Sequence, residues 1–192
     1  MCAACLRPQS TCICHWVTPV VHATEVLILQ HPLEQHHAKN SARLLHLSLS
    51  RSHLLVGETF DEPVLRAALQ APKYTVLLYP RAAPPLDLAP ALDPVRLRDP
   101  AQLQLVVLDG TWRKSRKMLH LSPLLQSLPR LSLENVPMSG YVIRKAHKPG
   151  QLSTLEATCA ALAQLEGPAE NFLPLLAAFN GFVAQQLGFR PP

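Results

Sequence analysis

At 192 residues the chain has room for one domain with a sizeable core. With 48% apolar and 16% charged residues it is too apolar for wholesale disorder, and with few aromatics that core must be filled by Leu and Val. Eighteen Lys and Arg against 13 Asp and Glu leave a net charge of +5, which suits an anionic partner without requiring one. No apolar run approaches the roughly 20 residues that span a bilayer. Nor does a basic start followed by an apolar stretch mark a signal segment, so the expected location is the cytoplasm, away from any membrane.

Residues 1–19 are expected to form an arm ahead of a single α/β catalytic domain at 20–192. Cys2, Cys5, Cys12 and Cys14 are spaced C-x2-C-x6-C-x-C. Thiolates one or two residues apart can offer two sulfurs to one ion, and a second such pair completes a tetrahedron. A structural zinc site is expected, with an iron–sulfur cluster or free redox cysteines as alternatives. Four thiolates leave no open position for chemistry. Cys159, inside an Ala-rich helix, reads as a small buried residue.

Residues 24–30 read as a buried strand, 40–50 as a helix, 53–56 as a second strand and 62–70 as a helix. A third strand at 74–79 stops at Pro80. The six prolines within 80–100 admit neither a helix nor a central strand, and so long a loop suggests a lid, a binding loop or an insertion. Residues 103–108 are the clearest strand, followed by a basic helix over 112–128 broken near Pro123. A further strand is expected at 131–133, then helices at 153–165 and 172–187. Ser153-Thr154-Leu155-Glu156 matches a capping box. Strands alternating with helices predict a mostly parallel sheet covered by helices on both faces.

The 103–108 strand delivers Asp109-Gly110-Thr111-Trp112 where a strand's carboxyl end meets a helix start, the edge at which open α/β sheets bind ligands. Gly110 permits a close backbone approach, Thr111 can cap the helix, and Trp112 is either a stacking face or packed core. Arg113, Arg116, Lys117 and His120 share one helix face, with Lys114 beside them and no acidic residue between 110 and 133. Unpaired cations beside a strand end are what a phosphate backbone needs. Arg144 and Lys145 open a second basic cluster. His31-Pro32-Leu33-Glu34 follows the first strand, with Asn40-Ser41 opening the next helix. The start of the 153–165 helix can hold a carboxylate.

The cysteine arm, the HPxE loop, the Asp-x-Thr-Trp motif with its basic helix, the 141–145 segment and the Ser-Thr-Leu-Glu cap occur in one order along nearly the whole chain. In this the sequence resembles the DTW-domain family of tRNA-uridine aminocarboxypropyltransferases. Ser41 and Val142 depart from the family pattern, the first keeping a hydroxyl where threonine is expected, the second replacing a basic residue.

The resemblance implies a SPOUT-like, knotted fold. It also implies transfer of the 3-amino-3-carboxypropyl group of S-adenosylmethionine to N3 of a uridine in tRNA. Asp109 is then the general base or an orienter of the cofactor, with Thr111 and Trp112 beside it in the catalytic set. Pro80, Gly110, Ser153, Thr154 and Glu156 are the expected cofactor contacts. Arg113, Lys114, Arg116, Lys117, Arg144 and Lys145 would grip the tRNA, and the four arm cysteines a structural zinc. No obligate protein partner is evident. Two rival classes stand beside this one: a SPOUT-type RNA methyltransferase, and a noncatalytic zinc-bearing RNA-binding module.

Overall fold

The computed structural model describes residues 1–69, 72–81, 89–134 and 152–189. Five strands, β1 (Glu25–Gln30), β2 (Ser52–Val56), β3 (Tyr74–Leu78), β4 (Leu103–Asp109) and β5 (Arg130–Leu131), make one parallel sheet in the order β2-β1-β4-β3-β5. The interior strands β1, β4 and β3 are nearly continuous apolar runs because both of their faces are covered.

Side chains alternate across the sheet and sort the core into two halves. Val26, Ile28, Leu105 and Val107 face α1 (Ala42–Ser48), α5 (Thr154–Glu166) and α6 (Leu173–Gly188). Leu27, Leu29 and Val106 face Leu65 of α2 (Glu62–Ala68), Met118 and Leu119 of α3 (Trp112–His120), and Leu125 of α4 (Pro123–Gln126). The expected parallel α/β sheet is therefore present. The break near Pro123 is real: Pro lacks the N–H to continue a helix, so α3 ends at His120 and the short α4 begins on the proline.

The box at the head of α5 is complete. Ser153 Oγ accepts from the N–H of Glu156 at 3.2 Å, and Ser153 N–H donates to Glu156 Oε2 at 2.8 Å. At its far end Glu166 accepts the backbone N–H groups of Ala23 and Thr24, fixing where β1 enters the sheet. Of the proline-rich loop, residues 89–100 carry short 3-10 turns and pack at the amino end of β3. There the Asp93 N–H donates to the Tyr74 hydroxyl at 2.9 Å, and Arg96 lies 4.3 Å over the Tyr74 ring. That part of the loop sits at the opposite edge of the sheet from the strand-end motif.

The cysteine arm is packed into the body. Ile13 and Cys5 belong to the same core as α6, and Trp16 lies on Gly181, where a Cβ would meet the indole at 2.2 Å. The indole N–H donates to Gln185 Oε1 at 2.8 Å, and Gln185 Nε2 donates back to the Cys12 carbonyl at 3.3 Å. No helix among the described residues is long and apolar enough to cross a membrane. A knotted path would depend on the chain between β5 and α5, of which 135–151 lie outside the described residues.

Candidate active site and metal clip

At the carboxyl edge of the sheet, β1 and β4 end as register partners, Gln30 beside Asp109. Both side chains turn to the face on which α1 and α5 begin. Asp109 is 1% exposed, and its carboxylate receives three donors. Gln30 Nε2 at 2.9 Å and Asn40 Nδ2 at 2.7 Å give to Oδ2, and Thr154 Oγ1 at 2.6 Å gives to Oδ1. Asn40 is itself fixed, since its Oδ1 accepts from the Ala42 N–H at 3.0 Å and from Gln30 Nε2 at 3.2 Å. A buried carboxylate with three donors meets the condition under which such a charge is tolerated, and charge-assisted bonds are the strong ones. One buried node therefore ties the ends of two strands to the starts of two helices.

Beside this node lies a cavity of about 380 Å³ between β3, β4, β5, α3 and α5. Its floor is apolar, formed by Leu78, Val107 and Leu131, and its walls carry Tyr79, Pro80, Gly110, Trp112, Ser153 and Thr154. That size and mixture suit a small-molecule site. Trp112 is 49% exposed and meets Tyr79 edge-to-face at 6.0 Å, so it forms part of the wall rather than core. Burial raises the Tyr79 phenol above its ordinary pKa. Thr111 caps α3, accepting weakly from the Lys114 N–H at 3.4 Å, and does not reach Asp109 in the described contacts. Gly110 has little space for a side chain, because a Cβ there would lie 3.1 Å from the Lys114 Cβ.

Of the five expected cofactor contacts, Pro80, Gly110, Ser153 and Thr154 line this cavity. Glu156 does not: its carboxylate is engaged in the capping box, and it borders a separate cavity between α5 and α6. The basic helix is also less free than its sequence suggests. Lys114 Nζ pairs with the buried Glu34 at 2.9 Å, and Lys117 Nζ with Glu58 at 2.8 Å. The expectation of unpaired cations along the helix therefore needs correction, because the partners come from the HPxE loop and from the turn after β2, remote in sequence. Arg113 and Arg116 remain exposed, without an ion pair to a described acidic residue. Arg144 and Lys145 lie outside the described residues.

His31 belongs to the same structure. Its Nδ1 accepts from the Leu33 N–H at 3.1 Å and its Nε2 faces Glu58 at 2.9 Å, so Nε2 carries the proton given to that carboxylate. Lys117, then His31, hold the Glu58 carboxyl below its ordinary pKa. Three residues of this region are absent from the set expected on sequence, although each carries a signal: Gln30, a polar end on an apolar strand; Asn40, an Asn two residues before a helix; and Tyr79, an aromatic at a strand end.

The four arm sulfurs all lie within 4.8 Å of one another, with Cys2–Cys14 at 3.5 Å and Cys5–Cys12 at 3.7 Å. Four sulfurs about 2.3 Å from a zinc ion in a tetrahedron would be separated by about 3.8 Å, so the donor set fits that metal. The backbone N–H groups of Cys5 and then Ala4 lower the Cys2 thiol to about 6, while sharing a proton with Cys2 pushes Cys14 up to about 12. Cys159 stands apart, buried in α5, and burial raises its thiol to about 12.

Residues 1–187, from the clip through α6, match the model of the DTW domain. The chain belongs to the DTW-domain family. It is 33% identical over 88% of its length to tRNA-uridine aminocarboxypropyltransferase 2 of Drosophila melanogaster, covering 68% of that protein. It is 31% identical over 86% of its length to the protein of the same name in Mus musculus, covering 56% of it. To tRNA-uridine aminocarboxypropyltransferase A of Arabidopsis thaliana it is 29% identical over 89% of its length, covering 74% of that protein. The chain thus spans between about half and three quarters of these relatives. No solved structure matches this DTW domain.

Proposed function

We propose that the chain transfers the 3-amino-3-carboxypropyl group of S-adenosylmethionine to N3 of a uridine in tRNA. The observation that carries this reading is the cavity beside the Asp109 node, with an aromatic wall at the head of the basic helix α3, in a member of a family whose named relatives are tRNA-uridine aminocarboxypropyltransferases. When bound, S-adenosylmethionine supplies a sulfonium whose methylene is the electrophile. The N3–C bond forms as the C–S bond breaks, methylthioadenosine leaves, and the N3 proton passes to solvent.

The protein's part is selection by placement. All three carbons on the sulfonium can react, so the walls must present the methylene and withhold the methyl. Pro80, Gly110, Ser153 and Thr154 would hold the polar parts of the co-substrate, over the apolar floor of Leu78, Val107 and Leu131. Asp109 would orient Thr154 and the strand end. Its deep burial and its three donors, two on Oδ2 and one on Oδ1, support this orienting role over that of a general base. Arg113 and Arg116 would meet the phosphate backbone near the cavity mouth. Paired uridines hide N3, so the target is an unpaired or extruded base. Cys2, Cys5, Cys12 and Cys14 would hold a structural zinc.

Mass spectrometry of nucleosides from tRNA incubated with the protein and S-adenosylmethionine tests the assignment. A uridine heavier by one aminocarboxypropyl group supports it. A gain of one methyl would make the protein a methyltransferase, and an unmodified tRNA that still binds would leave a noncatalytic RNA-binding module.

A further inference from the structure

We propose that Arg7 is a positioning residue that couples the four-cysteine clip to the Asp109 node and, through it, to the cavity wall. The path consists of hydrogen bonds. The Arg7 carbonyl accepts from the Cys2 N–H at 2.7 Å, closing the first turn of the clip. Its guanidinium leaves the arm: Nη1 donates to the Ala38 carbonyl at 2.7 Å and Nη2 to the Asn40 carbonyl at 3.1 Å, while the group lies 5.2 Å over the Phe182 ring. Asn40 passes the constraint on through Nδ2 to Asp109, and Asp109 passes it to Thr154 on the cavity wall. A second strut runs parallel, from Arg43 Nη2 to the Ala4 carbonyl at 2.7 Å.

The chemistry of the fork explains why an arginine stands here. Two carbonyls two residues apart face one planar group, whose rigid fork fixes their spacing, whereas a lysine ammonium on its flexible stem would not. The 35–41 stretch has no strand or helix of its own, and it is held by its turn hydrogen bonds, such as Asn40 N–H to the His37 carbonyl at 2.9 Å, together with such cross-bonds. Asn40 must nevertheless be placed to within a few tenths of an ångström to keep a 2.7 Å bond to a buried carboxylate. The arm supplies that placement from outside the catalytic sheet.

The test uses hydrogen exchange on zinc-loaded protein without ligand. Arg7→Ala should speed exchange about tenfold in peptides covering 38–43 and also 152–160, within the usual range of coupling between sites. Arg7→Lys should fall between that variant and the native chain, with one zinc retained. Asn40→Ala should reproduce the change at 152–160 without touching the clip, and adding Arg7→Ala to it should increase that change no further. Acceleration confined to 1–14 and 38–43 would overturn the proposal. So would additive effects in the double variant, or zinc loss in Arg7→Lys, since Arg7 would then serve only the clip. Calorimetry with S-adenosylmethionine on the native chain is a separate arm for the proposed function. Absence of binding would defeat that reading, while the exchange pattern decides the coupling by itself.

Discussion

The carboxyl end of β4 carries two charged regions within a dozen residues, and they obey different rules. Asp109 is buried, with three donors fixed around it, so its charge is spent inside the molecule. The cations of α3 stand at the surface, where two are tied to Glu34 and Glu58 and two face solvent. A charge inside is valued for where it holds its neighbours. A charge outside is valued for what it leaves free. Along the sequence the two regions look alike, and only the placement of distant partners separates a buried, bonded charge from an exposed one.

The largest effect that would break this contrast is at the node. Asp109→Ala strands three buried donors and should cost about two orders of magnitude or more in turnover, with zinc content unchanged. Asp109→Asn sharpens it. If Asp109 orients, the variant binds S-adenosylmethionine more weakly and its rate-versus-pH curve runs parallel to that of the native chain. A selective rescue at alkaline pH would show a base instead.

Next comes the free half of the helix. Arg113→Glu with Arg116→Glu should weaken tRNA binding and reduce its salt slope by about one for each phosphate no longer neutralised, leaving S-adenosylmethionine affinity unchanged. Lys114→Ala should do something else: expose the cost of the buried Glu34 carboxylate, lowering stability by about 1–3 kcal/mol while leaving the salt slope alone. Thermal unfolding and filter binding on the same preparations separate the two. If Lys114→Ala changes the slope as much as the arginine pair, the division of the helix face is wrong. In the clip, Cys12→Ala with Cys14→Ala should abolish zinc retention, read by metal analysis, whereas Cys159→Ala should not. The smallest effect is at the helix cap, where Ser153→Ala should cost about 1 kcal/mol of stability.

Much of the sheet is legible in the sequence because its central strands are written as uninterrupted apolar runs, a pattern that only two-sided burial makes. The four-cysteine cluster is legible because its members stand close together in sequence. The strand-end motif can be placed, since Asp-Gly after such a strand marks a turn at a ligand-binding edge. Its wiring cannot. Gln30, Asn40 and Thr154 converge on Asp109 from separations of 79, 69 and 45 residues, and nothing local in any of them announces the others. The same blindness makes Lys114 and Lys117 look free, because absence of acidic neighbours in sequence says nothing about Glu34 and Glu58 in space. Glu156 is the opposite case, since its part in the capping box is written locally at the head of α5.

The seat of Trp16 on Gly181 has a kinetic consequence. The bonds that hold the arm to α6 join residues 169 and 173 positions apart, among the longest loops the chain can close. During synthesis the arm emerges well before its docking surface, so the clip must wait for the intervening fold before it has a place to bind. Contacts of such separation form late, after the sheet. Strengthening them should therefore lengthen the lifetime of the finished molecule by slowing its unfolding, with little gain in how fast it folds.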